Sequence, residues 1–109
     1  MSPPVPFPRR APRGRFGTEP PPSQRIALVS GANRGLGLEV SRQLAAAGMT
    51  VLLGARNLAA GEKAAKALRR EGGDVTAVQL DVTAQADVDA LAERIERDFG
   101  RLDVLVNNA

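Results

Sequence analysis

Arg25-Ile26-Ala27-Leu28-Val29-Ser30-Gly31-Ala32-Asn33-Arg34-Gly35-Leu36-Gly37 is the stretch that decides how this chain is read. A short apolar run breaks off into three glycines spaced G-x-x-x-G-x-G, and an amphipathic pattern begins at once. A strand, a tight turn and a helix start in that order make a cradle for the phosphates of a dinucleotide. Backbone N–H groups at the helix N-terminus face the anion, and the helix dipole favours its negative charge. Glycine is needed where a Cβ would bar close approach of the backbone or forbid the turn. Glycine spacing alone is a weak signal. Here it gains meaning from its context, a turn that follows the first strand and opens a helix inside a βαβ unit.

Working outward from that turn, the chain alternates short apolar runs with helical periodicity. Ile26–Ser30 reads as the first strand, continuously apolar as a strand buried on both faces should be. Leu36, Val40, Leu44 and Ala47 mark one face of a helix that stops at Gly48. Thr50–Ala55 is a second buried strand. The segment 58–71 follows as a helix with a weak stripe of Leu58, Ala64, Ala65 and Leu68, ended by Gly72-Gly73. Val75–Leu80 is a third strand, and Thr83 is the expected N-cap of a third helix. That helix has a face of Val88, Leu91, Ala92, Ile95 and Phe99, with Gly100 closing it. Asp103–Val106 is a fourth strand leading into Asn107-Asn108-Ala109.

This order predicts an α/β fold: a Rossmann-type, doubly wound parallel sheet, present as its β-α-β-α-β-α-β portion with right-handed crossovers. Val104–Val106 is apolar without alternation, so it is expected in the sheet interior, with a further strand beside it. Residues 25–109 are therefore expected to be the N-terminal part of a larger dinucleotide-binding domain.

Composition narrows the function. The 109 residues contain no cysteine, histidine, tyrosine or tryptophan. There is accordingly no disulfide framework, no thiolate metal site, and no imidazole or phenol for acid–base work. The net charge of +3 sits in the wrong place for a nucleic-acid surface. Residues 1–25 carry five arginines and one acid, whereas the remaining residues carry ten basic and eleven acidic groups. All eight prolines fall in the first 22 residues, so segment 1–24 is expected to be a disordered tail. Its prolines would break the amphipathic helix of a transit peptide, and it has no apolar core of a secretion signal. A cytoplasmic location is expected, with no membrane partner and no nucleic acid.

Beyond the glycines, the second strand discriminates between cofactors. A binder of unphosphorylated NAD usually carries an acid about 20 residues past the glycines, bonded to the ribose 2′-hydroxyl. Here the strand ends Gly54-Ala55-Arg56, and no acid occurs from Thr50 to Gly61. A carboxylate would repel a 2′-phosphate, whereas the guanidinium of Arg56 or Arg34 can grip it bidentately. The plain alternative is that both arginines are solvated loop residues. Asp81, at the C-terminal end of the third strand, is either a ligand group at the crevice or a residue leading into the next helix. The plain alternative for Asn107 and Asn108 is that they only tie loop backbone together. The charged residues of the third helix read as a solvated face.

Taken together, these residues resemble the short-chain dehydrogenase/reductase family from about Arg25 to Ala109. The family motif Thr-Gly-x-x-x-Gly-x-Gly is matched by Ser30 to Gly37, with serine in place of threonine. Asn107-Asn108-Ala109 matches the start of the family's Asn-Asn-Ala-Gly, and Asp81 matches its acid after the third strand. The resemblance implies that Gly31, Asn33, Arg34, Gly35, Leu36 and Gly37 cradle the pyrophosphate and adenosine side of the cofactor. It implies that Asp81 and Val82 contact adenine, and that Asn107 and Asn108 line the adenine ribose or brace the sheet. Basic residues at the positions of Arg34 and Arg56 are the family's marks of NADP(H) preference over NAD(H). The local wording is most similar to carbonyl-reductase-type members.

The implied activity is interconversion of a small-molecule carbonyl and alcohol by hydride transfer. The implied catalytic Ser and Tyr-x-x-x-Lys have no counterpart in residues 1–109, so this stretch alone is expected to be inactive. A non-catalytic sensor of the same fold is the alternative. Neither the substrate's identity nor any homo-oligomer contact is legible here.

Overall fold

The computed structural model describes residues 25–109. The tail expected at 1–24 lies outside the described residues. Four strands form where the apolar runs are four to six residues long or shorter: β1 (Ile26–Val29), β2 (Thr50–Ala55), β3 (Asp74–Gln79) and β4 (Val104–Val106). Three helices connect them: α1 (Gly35–Ala46), α2 (Leu58–Arg70) and α3 (Gln85–Asp98). The sheet is parallel throughout, in the order β3-β2-β1-β4, with Ile26 opposite Thr50, Ala27 opposite Val104 and Thr50 opposite Asp74.

β1 and β2 lack polar alternation because both of their faces are covered. Val29, Val51, Leu53, Val75 and Ala77 point to the face shared with α1 and α2, where Ala64, Ala65 and Leu68 meet them. Ile26, Leu28, Leu52, Val78 and Leu80 point to the other face and pack against Leu91 and Ile95 of α3. Each large side chain fully buried in this way, such as Leu53 or Leu68, stabilises the fold by about 1.5–3 kcal/mol.

The helix faces differ in part from the periodicity. On α1, Val40 and Leu44 pack on the core as expected, but Leu36 is 70% exposed and Ala47 is exposed. The residues of this helix that are fully buried are the small Gly37 and Ser41, which a search for large apolar residues passes over. Ser41 satisfies its buried hydroxyl by donating to the Gly37 carbonyl one turn earlier, at 2.9 Å. On α2 the buried stripe is Gly61, Ala64, Ala65 and Leu68, while Leu58 at the first turn is 40% exposed. Its start is fixed by Asn57, whose side-chain oxygen accepts from Ala60 N–H at 3.1 Å.

On α3 only Leu91 and Ile95 are buried and Phe99 is half-buried; Val88 and Ala92 are exposed. The expected N-cap, Thr83, is not the cap. Its N–H and hydroxyl both donate to Asp81 Oδ1, at 2.9 and 2.6 Å, and α3 begins after Ala84. Asp81 thus captures Thr83 in an Asx-type turn before the helix can use it. β4 pairs with β1 on one side and is the outermost strand among the described residues, leaving Leu105 62% exposed.

Candidate functional site

The chain runs from β1 outward to β3, then returns past β1 to form β4 on the opposite side. Strand order therefore reverses between β1 and β4, and a crevice opens above their C-terminal ends. Backbone and side-chain hydrogen bonds build its floor. Ser30 N–H donates to the Val106 carbonyl at 3.0 Å, and Ala32 N–H donates to the Gly54 carbonyl of β2 at 2.9 Å. Ser30 Oγ accepts from Asn108 N–H at 2.9 Å and from Ala109 N–H at 3.1 Å, and it donates to Asn107 Oδ1 at 3.3 Å. Asn108 Nδ2 donates to the Gly31 carbonyl at 3.0 Å. The serine at position 30 thus stitches the end of β4 to the glycine turn with a single hydroxyl.

The turn itself requires glycine for two different reasons. Gly31 adopts φ +58°, and an added Cβ would stand 3.1 Å from Ala109 Cα. Gly37, inside α1, needs no unusual backbone angle. There a Cβ would lie 2.5 Å from the Gly31 carbonyl oxygen and 2.6 Å from Asn108 Nδ2. The absent side chain lets the first turn of α1 rest on the turn that precedes it.

Gly31, Asn33, Arg34, Gly35, Arg56, Asp81, Val82 and Asn108 all line one open cleft of about 1020 Å³. That volume is at the upper end of the roughly 300–1,000 Å³ usual for small-molecule sites. The remaining expected site residues stand elsewhere. Gly37 is buried beneath the turn, and Leu36 projects from the helix start into solvent. Asn107 lines a separate, largely apolar groove of about 710 Å³ between β4 and α3, with Leu28, Val88, Leu91 and Leu105.

Sequence reasoning missed polar residues in and beside the cleft. Asn57 and Thr83 line it directly. An Asn immediately before Leu58-Ala59-Ala60 is a readable cap signal, whereas the turn that brings Thr83 to Asp81 is visible only in three dimensions. Asp87 stands behind the cleft, its Oδ2 accepting from Asp81 N–H at 2.9 Å.

The electrostatics suit an elongated anion. The N-cap position of α1 is Arg34, which gives the helix no side-chain cap, so the first-turn N–H groups of α1 remain available to a ligand. Among the described residues, nothing lies within 4 Å of where a Cβ on Gly35 would stand, so the backbone there is bare toward the cleft. Arg34 and Arg56 supply positive charge along the wall, and no carboxylate sits on the loop after β2. Among the described residues, Asp81 is the one acid that lines the cleft. The Thr83 hydroxyl and N–H, with a smaller contribution from the Arg56 charge, hold its carboxyl below the usual carboxylate range. It is therefore an anionic acceptor at neutral pH. These groups fit the phosphates and adenosine of a nicotinamide dinucleotide. Among the described residues no cluster of three or more His, Cys, Asp or Glu gathers to hold a metal, and no helix is long and apolar enough to cross a membrane.

Known proteins match this arrangement. The family model for short chain dehydrogenase matches residues 25–109. The chain is 49% identical over 90 residues to (-)-isopiperitenone reductase of Mentha piperita, covering 79% of this chain and 29% of that protein. The solved structure of menthone neomenthol reductase from Mentha piperita superposes with a TM-score of 0.75 at 46% identity, over 78% of this chain and 31% of that one. A metagenomic short-chain oxidoreductase in complex with NADP gives a TM-score of 0.75 at 32% identity, over 79% of this chain and 39% of that one. The chain spans about 30% of the length of the curated relatives it matches.

Proposed function

We propose that this chain, which belongs to the short-chain dehydrogenase family, is the cofactor-binding part of an NADP-dependent oxidoreductase that interconverts a small-molecule carbonyl and an alcohol. The observation that carries the choice of cofactor is the placing of Arg34 and Arg56 on one cleft with the uncapped N-terminus of α1. In this reading the first-turn N–H groups and Gly35 receive the pyrophosphate, and the two guanidinium groups receive the 2′-phosphate. Asp81, with Val82, receives the adenine. Ser30 and Gly37 hold the cradle in shape, and Asn108, on the cleft wall, braces the Gly31 carbonyl and faces the adenine ribose. When bound, NADPH supplies the hydride. The complex of the metagenomic relative with NADP supports the choice of cofactor, and the reductases among the relatives support the reaction class. A reducing, cytoplasmic setting is part of the same reading, in keeping with a chain free of cysteine.

The test is titration of the full-length protein with NADPH and NADH, followed by addition of a panel of small carbonyl compounds. Tighter binding of NADPH, and its oxidation when a carbonyl is added, are the expected results. Failure to bind either cofactor would overturn the proposal. Binding without turnover of any carbonyl would overturn the enzyme reading in favour of a nucleotide sensor.

A further inference from the structure

We infer that Gln79 and Asp87, neither of which lines the cleft, are positioning residues that set its two ends: Gln79 orients Arg56 and Asp87 orients Asp81. This rests on the reading of the cleft as an NADP site.

The β2–β3 ladder stops where the cleft begins. Ala55 lies opposite Gln79, and the last backbone bond between the two strands runs from Leu80 N–H to the Ala55 carbonyl at 2.9 Å. Beyond it Arg56 and Asp81 leave the sheet on either side of the opening, with no rung between them. A side-chain chain of bonds takes over. Gln79 Nε2 donates to the Arg56 carbonyl at 2.7 Å and to Asp87 Oδ2 at 3.3 Å, and that same Oδ2 accepts from Asp81 N–H at 2.9 Å. Both partners of the Gln79 amide are acceptors, so its NH₂ group must face them, and its two protons match the two acceptors.

Gln79 is exposed at the end of β3, where packing makes no demand on residue type. What it contributes is the direction of the Arg56 peptide, and with it the direction in which the Arg56 guanidinium leaves the chain. Asp87, in the first turn of α3, fixes the Asp81 backbone, while Thr83 fixes the Asp81 carboxylate. The two ends of the relay therefore serve different parts of one ligand. Arg56 faces a group that only NADP(H) carries; Asp81 faces the adenosine that NADP(H) and NAD(H) share.

That division gives the test, made on the full-length protein by equilibrium titration with NADPH and NADH. Gln79→Leu is expected to raise the Kd for NADPH by about 3- to 10-fold and to leave that for NADH within about two-fold, in line with losing one hydrogen bond that orients a charged group. Gln79→Glu, which keeps the shape but cannot donate to the Arg56 carbonyl, is expected to shift the same ratio and serves if the leucine variant does not fold. Asp87→Ala is expected to weaken both cofactors alike, and Asp87→Asn, which retains an acceptor for Asp81 N–H, to restore most of the affinity. A NADPH/NADH ratio unmoved in both Gln79 variants would overturn the positioning role. Arg56→Asp, measured beside them, separates the two levels of failure. If it moves the ratio while the Gln79 variants do not, the relay is wrong and the cleft reading stands. If it too leaves the ratio unmoved, the cleft reading fails and takes the relay with it.

Discussion

Replacing Gly37 by alanine sets two physical effects against each other in sign. Helix propensity alone favours alanine over glycine inside a helix by about 1 kcal/mol. The structure predicts the opposite outcome. A Cβ on residue 37 would lie 2.5 Å from the Gly31 carbonyl oxygen, 2.6 Å from Asn108 Nδ2 and 3.0 Å from Ala32 Cα. Two of these three are backbone atoms, so relief requires either lifting α1 from the glycine turn or expelling the Asn108 amide. Overpacking of this kind costs about 1–3 kcal/mol. The bond from Asn108 Nδ2 to the Gly31 carbonyl is worth about 0.5–1.5 kcal/mol if it is lost. Set against the propensity gain, the net expectation is a loss of about 0.5–3.5 kcal/mol. Urea unfolding followed by circular dichroism measures it: the midpoint should fall with the slope unchanged. NADPH affinity should fall as well, because the displaced turn carries the cradle. A midpoint equal to or above that of the wild type would refute the close contact at Gly37, and with it the account of how the turn is held.

Two further outcomes follow from the same geometry. Ser30→Ala removes the acceptor of Asn108 N–H and Ala109 N–H, and leaving half-buried donors unpaired should lower unfolding stability by about 1–3 kcal/mol; Ser30→Thr keeps the oxygen and should be close to neutral, and equal losses in the two variants would contradict the hydroxyl's role. Asp81 has a folded-state pKa below its ordinary value, so its contribution is complete above the ordinary carboxylate range and is lost as pH falls through the lower folded value. The stability difference between wild type and Asp81→Asn should therefore stay flat from about pH 5 to 8 and shrink below about pH 4, and a difference that grew on acidification would contradict the assignment.

The parts of this molecule legible in the sequence are those where one local rule settles the matter. Continuous apolar runs such as Thr50–Ala55 read as doubly buried strands because no polar alternation competes with that reading. The glycine turn was legible because its spacing coincided with a strand end and a helix start. What escaped depends on contacts between distant segments. Leu36 fits the helical stripe by periodicity, yet the residues α1 buries fully are the small Gly37 and Ser41, and Leu36 at its start remains in solvent. Thr83 has the composition of a cap, and only the fold shows that Asp81 binds it first. Val88 and Ala92 follow the period of α3 but line the open groove beside β4 instead of the core. The relay through Gln79 and Asp87 has no sequence signal, since residues eight apart on a strand and a helix meet only once β3 has crossed into α3.

If Arg34 and Arg56 make this cleft a site for the 2′-phosphate, the ratio of NADPH to NADH affinity must differ between the wild-type protein and Arg56→Asp. Tighter NADPH binding is expected in the wild type. In the variant that preference should fall by about 10- to 100-fold, from losing a charge-assisted bond worth about 1.5–3 kcal/mol and gaining a repelling carboxylate. A ratio that is the same in both proteins would contradict it.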